Sequence, residues 1–468
     1  MTNAARFVAK IKSFEESTRP VSPTEAAALA ERWEGLPTSA RTPGQLLGRR
    51  STGCEGTHGV FPKCNFSCKP CYHSADANRV RIDGPHTIAE VTKQMRYLQQ
   101  RRGFGQFAQL IGGEVSLLDP DDHAECLSIM RAHGRMPMSF THGDFDYSYL
   151  RRLVVGSDGK PRLNHVAFAA HFDSTMIGRA GLKKPQTEAE LHDARGRFCE
   201  MFKRLEADYG VTSYLAHNMT VTPENVGQIA DVVSHCRDQG WRLFSFQPAA
   251  YVGNPTRWKT DYRSVTSSAV WSEVERGANS VLPGGRLPYE GLRFGDLRCN
   301  RVTWGAYCDG RYVPIVDDKL PADMEAATKA LAAFPGSMVL QNKVAGSVRI
   351  ARSIAATPSV VPTAARWAWR FSKRAGGLRS TLRLTPVTFV MHQFIDAQHS
   401  AKAWAHIQAG TRATEPVILE AQERLEACSY SMGHPHSDQL VPACVQHGVL
   451  DPDENKSLVK LLPTRARS

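Results

Sequence analysis

Three cysteines, Cys64, Cys68 and Cys71, lie close together in a CxxxCxxC spacing. Iron–sulfur clusters are held by cysteine thiolates, and a short loop gathers three such ligands at little cost in chain entropy. A four-iron cube needs a ligand on every iron, so three cysteines leave one iron open to a ligand that is not protein. A zinc site is the alternative, although zinc more often takes paired CxxC motifs.

A second motif, Gly112-Gly113-Glu114, follows the apolar segment Gln106–Ile111. The short apolar run bounded by two glycines predicts a buried strand that ends at Glu114. A carboxylate at a strand end can pair with a ligand ammonium group. The sequence therefore places a candidate anionic contact downstream of the cysteines.

Taken together, CxxxCxxC and Gly-Gly-Glu resemble the signature of the radical S-adenosylmethionine (radical SAM) superfamily. The resemblance implies a [4Fe-4S] cluster on the three cysteines, with SAM chelating the open iron. It also implies reductive cleavage of SAM to methionine and a 5'-deoxyadenosyl radical, with an electron donor such as flavodoxin or ferredoxin. Gly112 and Gly113 would let the backbone approach SAM, and Glu114 would meet its ammonium group. Pro70 replaces the aromatic residue common before the third cysteine and Tyr72 follows it, so the adenine contact is expected to differ.

Strand-like and helix-like segments alternate between residues 55 and 260. Repeated strand–helix units predict a parallel sheet with right-handed crossovers. Helices are predicted at Ile88–Gln100 and Val226–Cys236, and a short one begins at Pro23. The six predicted strands are Val60–Lys63, Phe107–Ile111, Met138–Thr141, Val166–His171, Ser213–Val221 and Leu243–Gln247. The fold class is α/β, and the resemblance implies a partial (β/α)6 barrel with an irregular α-rich, cysteine-bearing C-terminal extension.

Polar residues follow the predicted strands, where barrels of this kind gather their chemistry. As a group these residues are expected to contact SAM, and ordinary polar packing is the alternative for any one of them. Arg179 is a further candidate for the SAM carboxylate. The strand-end residues are His142, His171, Asp173, Asn218, Thr220 and Gln247.

The chain has 468 residues and a net charge of +12. Residues 326–395 contain no Asp or Glu and ten basic residues. Four of these would share one helix face, a composition typical of a helix on an anionic membrane surface. A solvated basic face and a patch for RNA phosphates are the alternatives. The four residues of this face are Arg366, Arg370, Lys373 and Arg374.

No apolar stretch is long enough to cross a membrane, and no secretory signal is evident. An odd count of eleven cysteines, three of them clustered, favours a reducing compartment over a disulfide framework. We therefore expect a cytoplasmic protein, with peripheral contact to the inner face of the membrane.

Further cysteine-bearing islands suggest five segments, divided as 1–50, 51–260, 261–325, 326–390 and 391–468. The order of the islands resembles the tetraether-lipid synthases and their bacterial relatives, a subgroup of the radical SAM superfamily. The resemblance implies auxiliary iron sites. Candidate ligands for a second cluster or a single iron are Cys299, Cys308, Cys428 and Cys444, with Cys54 as a spare. Cys126, Cys199 and Cys236 lie on predicted helices and are expected to be buried thiols.

The leading hypothesis is a radical SAM enzyme that functionalises an unactivated carbon of a lipid chain, by carbon–carbon bond formation or alkylation. A radical SAM methylase or maturase acting on a pterin or a peptide is the nearest alternative. An RNA-directed iron–sulfur protein is a third, but no RNA-binding motif accompanies the basic segment.

Overall fold

A single mixed sheet runs through the protein in the computed structural model, which describes residues 15, 18–50, 54–285, 291–337 and 343–464. The order of its strands is β11-β10-β1-β2-β3-β4-β5-β6-β9-β7-β8. The strands are β1 (Cys54–Gly56), β2 (Gln106–Leu110), β3 (Arg135–Thr141), β4 (His165–His171), β5 (Thr212–Val221), β6 (Leu243–Pro248), β7 (Asn300–Cys308), β8 (Arg311–Pro314), β9 (Thr385–His392), β10 (Tyr430–His434) and β11 (Gln439–Pro442).

Helices cover the sheet and the C-terminal region. They are α1 (Pro23–Glu34), α2 (Gly84–Arg102), α3 (Pro120–Ala132), α4 (Tyr147–Val154), α5 (His192–Tyr209), α6 (Ile229–Cys236), α7 (Ser267–Ala278), α8 (Pro321–Ala333), α9 (Lys343–Ala356), α10 (Val360–Arg374), α11 (Leu378–Thr381), α12 (Ala397–Gln408), α13 (Pro416–Glu426), α14 (Ala443–Val445) and α15 (Asp451–Leu461).

Strands β1 to β6 are parallel neighbours in chain order. A helix follows each of them, from α2 after β1 to α7 after β6. Parallel strands require such crossovers, and the helices bury the sheet. The predicted α/β class is confirmed, and the predicted strands after the first overlap β2 to β6. The carboxyl ends of β2 to β6 therefore meet at one edge.

The first predicted strand, Val60–Lys63, is wrong. β1 lies earlier, at Cys54–Gly56, and pairs with β2 from Cys54 to Gly56. Residues 60–63 instead lie outside the sheet, and the carbonyl groups of Phe61 and Lys63 accept hydrogen bonds from the loop after β2. Pro62 lacks a backbone N–H and cannot donate in a ladder, which explains why an apolar segment here does not join the sheet.

The C-terminal region does not form a separate irregular extension. β9 adds to the sheet parallel to β6, and β10 adds parallel to β1. β7 then pairs antiparallel with β9 and β8 with β7 at one end, and β11 pairs antiparallel with β10 at the other. The sheet is continuous across the predicted segment limits at residues 260, 325 and 390, so the C-terminal strands flank both sides of the parallel unit.

The core lies between β1 to β6 and their helices, with Phe168, Phe198 and Trp241 almost fully buried. A buried ion pair joins the first strands, because Arg135 Nε lies 2.9 Å from Glu55 Oε2 and neither side chain is exposed. In the parts of the chain that the structure describes, no helix is long and apolar enough to cross a membrane.

Candidate functional site

The loop that carries the three cysteines is fixed by backbone hydrogen bonds to the segment after β4. Ser67 N donates to Ile177 O at 2.8 Å, and Lys69 N donates to Thr175 O at 3.0 Å. Cys64 N donates to Asn78 Oδ1 at 2.9 Å. These bonds hold all three cysteines at the edge of the sheet where β2 to β6 end.

The glycines after β2 allow the backbone before the loop to approach very closely. Gly113 N donates to Phe61 O at 2.6 Å, and Glu114 N donates to Lys63 O at 2.9 Å. A Cβ atom on Gly113 would lie 2.0 Å from Lys63 O, and one on Gly112 would lie 2.7 Å from the Phe61 ring. Only glycine fits at either position, so this contact sets the position of the cysteine loop.

The thiols of the loop are partly buried and lie close enough to influence one another. Burial raises the pKa of Cys64 to about 12, and it raises the pKa of Cys68 and Cys71 as well. At Cys68 the negative charges of the neighbouring thiolates add to the effect. Three thiolates at this place therefore need a nearby positive charge, which a metal cluster would provide.

A cleft opens beside the loop. The three cysteines lie on it together with Tyr72, Gly113, Glu114, His171, Asp173, Thr220 and Gln247. Apolar residues complete the wall: Phe140, Met176, Pro248, Ala250, Val252 and Phe394. Most of the residues expected to bind the cofactor are therefore brought together, on the loop and at the ends of four strands.

Glu114 braces the ends of two strands. Its Oε1 accepts hydrogen bonds from Ser116 N, Ser116 Oγ and Thr141 Oγ1. Its Oε2 accepts one from His142 N at 2.7 Å. A carboxylate oxygen has two lone pairs, so Oε2 retains one that can accept a further donor. The buried anion is positioned before any ligand arrives.

The strand-end polar residues differ in what they contact. Asp173 accepts from Thr175 and from Thr220 N, and acts as a brace between β4 and β5. His171 faces the cleft, and burial lowers its pKa to about 4, which keeps the imidazole neutral. Asn218 is buried off the cleft wall, and its Nδ2 has no hydrogen-bond partner among the described residues. Gln247 lies on the wall near Ser245.

Arg179 does not reach the cleft. Its Nη2 donates to His142 O at 2.7 Å and to His171 O at 3.3 Å, and its guanidinium packs over Phe172. Phe66 of the cysteine loop lies between Arg179 and His142, and its ring stacks on His142 at 3.9 Å. Arg179 therefore caps strand ends behind the loop, in contrast to the contact with a ligand carboxylate expected from the sequence.

Two residues of the site were missed in the sequence. Arg257, in the loop after β6, lies close enough to Cys71 for its positive charge to oppose the burial that raises the pKa of that thiol. Phe394 reaches the cleft wall from the segment after β9. Arg257 could have been identified as a site residue from its position after the end of a predicted strand. The place of Phe394 in the cleft could not be predicted, because β9 was not expected to lie beside β6.

Four other cysteines form a second group, which comprises Cys54, Cys299, Cys428 and Cys444. Cys54 N donates to Ser429 O at 2.9 Å, which places Cys54 beside Cys428. Arg424 Nε donates to Cys299 Sγ at 3.1 Å, and Ile395 N donates to Cys444 Sγ at 3.4 Å. Burial raises the pKa of Cys54 to about 12 and that of Cys299 to about 11, and negative charge on Cys428 adds to both effects.

The spacing of this group argues against a single metal ion. Among the described residues, no three of these sulfur atoms lie within 4.8 Å of one another. A tetrahedral iron or zinc ion holds its sulfur ligands about 3.8 Å apart, whereas a cube-shaped cluster spreads them more widely. The described sulfur atoms of the second group therefore lack the close spacing of a single-ion site.

Cys308 does not belong to this group, which corrects the ligand set expected from the sequence. Cys299 directly precedes β7 and Cys308 ends it, so the strand separates them by about 30 Å at roughly 3.3 Å per residue. Cys308 packs with Val313 and Phe371 in a separate apolar cluster. Cys54, named from the sequence as a spare, lies beside Cys428 instead. Cys126, Cys199 and Cys236 are buried core thiols, as predicted.

The basic face predicted on α10 is divided by an ion-pair network. Arg370 Nε lies 2.8 Å from Asp323 Oδ1 and Arg374 Nη1 lies 2.7 Å from Asp323 Oδ2, and Asp323 is fully buried. Arg366 and Lys373 lie on the exposed side of the helix. Two of the four predicted cations therefore share one buried carboxylate of α8, and the other two face solvent.

Among known proteins, similarity to this chain is found only in solved structures. No family model matches the chain, and no curated protein matches it. Streptococcus suis SuiB bound to S-adenosylmethionine is 14% identical, with a TM-score of 0.33 over 48% of this chain and 46% of that one. Native anSMEcpe with bound AdoMet is 15% identical, with a TM-score of 0.32 over 47% of this chain and 57% of that one. The match spans about half the length of each neighbour and carries no inference about function.

We predict that Gly113→Ala displaces the cysteine loop. The new Cβ would overlap Lys63 O and Pro62 O, which are backbone atoms. Overpacking of this kind costs about 1–3 kcal/mol. Iron bound after anaerobic reconstitution should fall sharply, with a lower melting temperature. Gly227→Ala is the control, because nothing lies within 4 Å of its Cβ position. Wild-type iron content in Gly113→Ala would contradict this account of the loop.

Proposed function

We propose that the protein is a radical SAM enzyme. The observation that carries the proposal is the common cleft, in which three clustered thiols face the carboxyl ends of five parallel strands. The donor set fits a [4Fe-4S] cluster with one open iron, since three sulfurs are present and their buried thiolates need a compensating positive charge. When bound, the cluster and SAM supply reductive cleavage of SAM and a radical that abstracts hydrogen from an unactivated carbon.

The residues of the chain would bind and orient this cofactor pair. Cys64, Cys68 and Cys71 would hold the cluster, and Arg257 would offset their negative charge. Glu114 Oε2 would accept a hydrogen bond from the SAM ammonium group, with its carboxylate already fixed by Thr141 and Ser116. His171 and Gln247 lie further along the same wall, where they can orient the rest of the ligand. The apolar wall would exclude water from the reacting carbon.

We propose a second [4Fe-4S] cluster on Cys54, Cys299, Cys428 and Cys444. The four sulfur atoms form one group drawn from four separate segments of the chain. Arg424 would compensate the charge of such a cluster, because its Nε donates to Cys299 and its side chain also lies near Cys444. An external electron donor such as flavodoxin or ferredoxin would supply the reducing electron.

For the substrate we propose a long apolar chain, most simply that of a membrane lipid, modified by carbon–carbon bond formation or alkylation. An exposed surface on α10 and α11 supports contact with an anionic membrane. Its apolar residues are strongly exposed: Val361, Trp369, Leu378 and Leu382. Exposed cations lie among them: Arg366, Lys373, Arg379 and Arg383. Apolar side chains interleaved with cations, with no acid between residues 326 and 395, are typical of an interfacial helix.

We predict that Cys68→Ala abolishes formation of 5'-deoxyadenosine from SAM. The anaerobically reconstituted protein should form this product with dithionite, and the variant should not, because a cluster short of one thiolate is lost. Chromatography with mass detection measures the product. Cys236→Ala removes a buried core thiol and should retain activity. Undiminished product from Cys68→Ala would refute the proposed reaction site.

We predict about eight irons per chain in the wild-type protein and about four in Cys428→Ala, because each cube holds four irons. Iron and sulfide quantitation with Mössbauer spectroscopy measures both. Cys308→Ala is the matched control and should retain the full iron content, since Cys308 packs in a separate apolar cluster. Four irons in the wild-type protein, or loss of iron in Cys308→Ala, would contradict the proposed ligand set.

We predict that the protein sediments with vesicles containing anionic lipid. Reversal of charge in Arg379→Glu/Arg383→Glu should cost at least about 2 kcal/mol, or roughly thirtyfold in partitioning, at about 1 kcal/mol per charge. Trp369→Ala should weaken binding further. Phe104→Ala removes a similarly exposed aromatic residue outside this surface and should have no effect.

Binding that is equal on neutral and anionic vesicles, or unchanged in the charge-reversed variant, would contradict the membrane surface. The lipid substrate has its own test, because lipid extracts of a deletion strain and its parent should differ by mass. Unchanged lipids together with an altered pterin or peptide would replace the lipid with one of those substrates.

A further inference from the structure

We propose that His58, His434 and Glu454 form a binding site for a divalent transition-metal ion, distinct from both cysteine groups. Their ligand atoms, one imidazole nitrogen from each histidine and a carboxylate oxygen, all lie within 4.8 Å of one another. His58 Nδ1 is 3.0 Å from Glu454 Oε2, and His434 Nδ1 is 3.9 Å from Glu454 Oε1. The three side chains come from the segment after β1, from β10 and from α15.

The hydrogen bonds around His58 direct a lone pair toward Glu454. His58 Nε2 lies 3.1 Å from Gly433 O, and a carbonyl oxygen can only accept, so Nε2 carries the proton. Nδ1 therefore faces the carboxylate, and in the neutral ring it presents a lone pair there. Glu454 raises the pKa of His58 by its hydrogen bond and its charge, so a proton competes with a metal ion for this position. Two acceptors 3.0 Å apart repel unless a proton or a cation lies between them.

The same reasoning fixes the tautomer of His434. Gln446 Nε2 donates to Asp451 Oδ1 at 2.9 Å and to Glu454 Oε2 at 3.0 Å, which assigns the other amide atom as oxygen. His434 Nε2 lies 2.5 Å from that oxygen and must donate to it. Its Nδ1 is then also a bare lone pair that faces Glu454.

The surroundings have the form that metal-binding histidines require. Each ring donates its remote N–H to a fixed acceptor, Gly433 O or Gln446 Oε1, and such partners orient a ligating imidazole. Two imidazoles and one carboxylate suit Zn²⁺ or Fe²⁺ and not Mg²⁺ or Ca²⁺, which prefer oxygen. With three protein ligands and a side chain of Glu454 that is 27% exposed, a fourth position remains open to solvent.

Metal binding requires a small rearrangement. The two rings are stacked, with centroids 3.8 Å apart and planes 14° apart, so their lone pairs run side by side. Convergence on one ion at about 2.1 Å requires the rings to tilt until the nitrogens are about 3.4 Å apart. Such an ion would tie α15 to β10 and to the segment that joins the two cysteine groups.

The test uses the full-length protein with its clusters reconstituted, incubated with Zn²⁺ and then desalted. We expect about one zinc per chain, coordinated through nitrogen and oxygen at about 2.0–2.1 Å in X-ray absorption, without the sulfur shell at about 2.3 Å. Zinc should raise the melting temperature of the wild-type protein. His434→Asn and Glu454→Gln, on different elements, should lose the zinc and the shift in melting temperature.

His436→Asn is the control, because the exposed His436 follows His434 by two residues without being one of the three ligands, and its Nε2 lies 3.5 Å from Lys93 Nζ. It should retain zinc in full. Zinc coordinated by sulfur, zinc retained by both ligand variants, or a wild-type protein that takes up no zinc would each overturn the proposal. None of these results depends on SAM cleavage, so the site stands or falls separately from the proposed function.

Discussion

The close approach of residues 61–63 to Gly112 and Gly113 is the contact on which the site depends. It brings two backbones together with no side chain between them, so the cysteine loop is held at the edge where the parallel strands end. Hydrogen bonds from Ser67 and Lys69 then fasten the other side of the loop to the segment after β4. A loop anchored at both ends loses little further entropy when its three thiols converge on a ligand. This anchoring allows a short, irregular segment to serve as a ligand site.

Negative charge is concentrated around this loop, and the protein compensates only part of it. Glu114 and Asp173 are stabilised by strand-end N–H and hydroxyl donors, which is why two buried carboxylates can lie beside the thiols. The thiols have fewer such partners, and burial raises their pKa values. The same imbalance recurs at the second cysteine group, where Arg424 is the main cation. A bound cation stabilises thiolates whose formation is unfavourable without it.

Much of the parallel unit could be predicted from sequence, because buried strands between amphipathic helices leave clear apolar segments. Val60–Lys63 was an exception, since Pro62 and the bonds to the Gly-Gly turn outweigh its apolar composition. Contacts between segments that are far apart in the chain leave no such pattern in the sequence. Whether Cys54 or Cys308 joins Cys428 depends on β10 pairing with β1, and on β7 carrying Cys308 away from Cys299. Likewise, composition showed the cations of α10 but not that Asp323 binds two of them.

The pairing of β10 with β1 has a consequence that reaches beyond the sheet. It joins segments far apart in the chain and places Cys428 beside Cys54, and His434 against His58. Both the second cysteine group and the histidine pair are therefore assembled by one parallel ladder of three residue pairs. So short a ladder contributes few hydrogen bonds, and ligands shared across it would add the cross-links that a three-residue strand lacks. Bound metal and strand pairing would then stabilise each other, since anything that binds only the folded arrangement favours it.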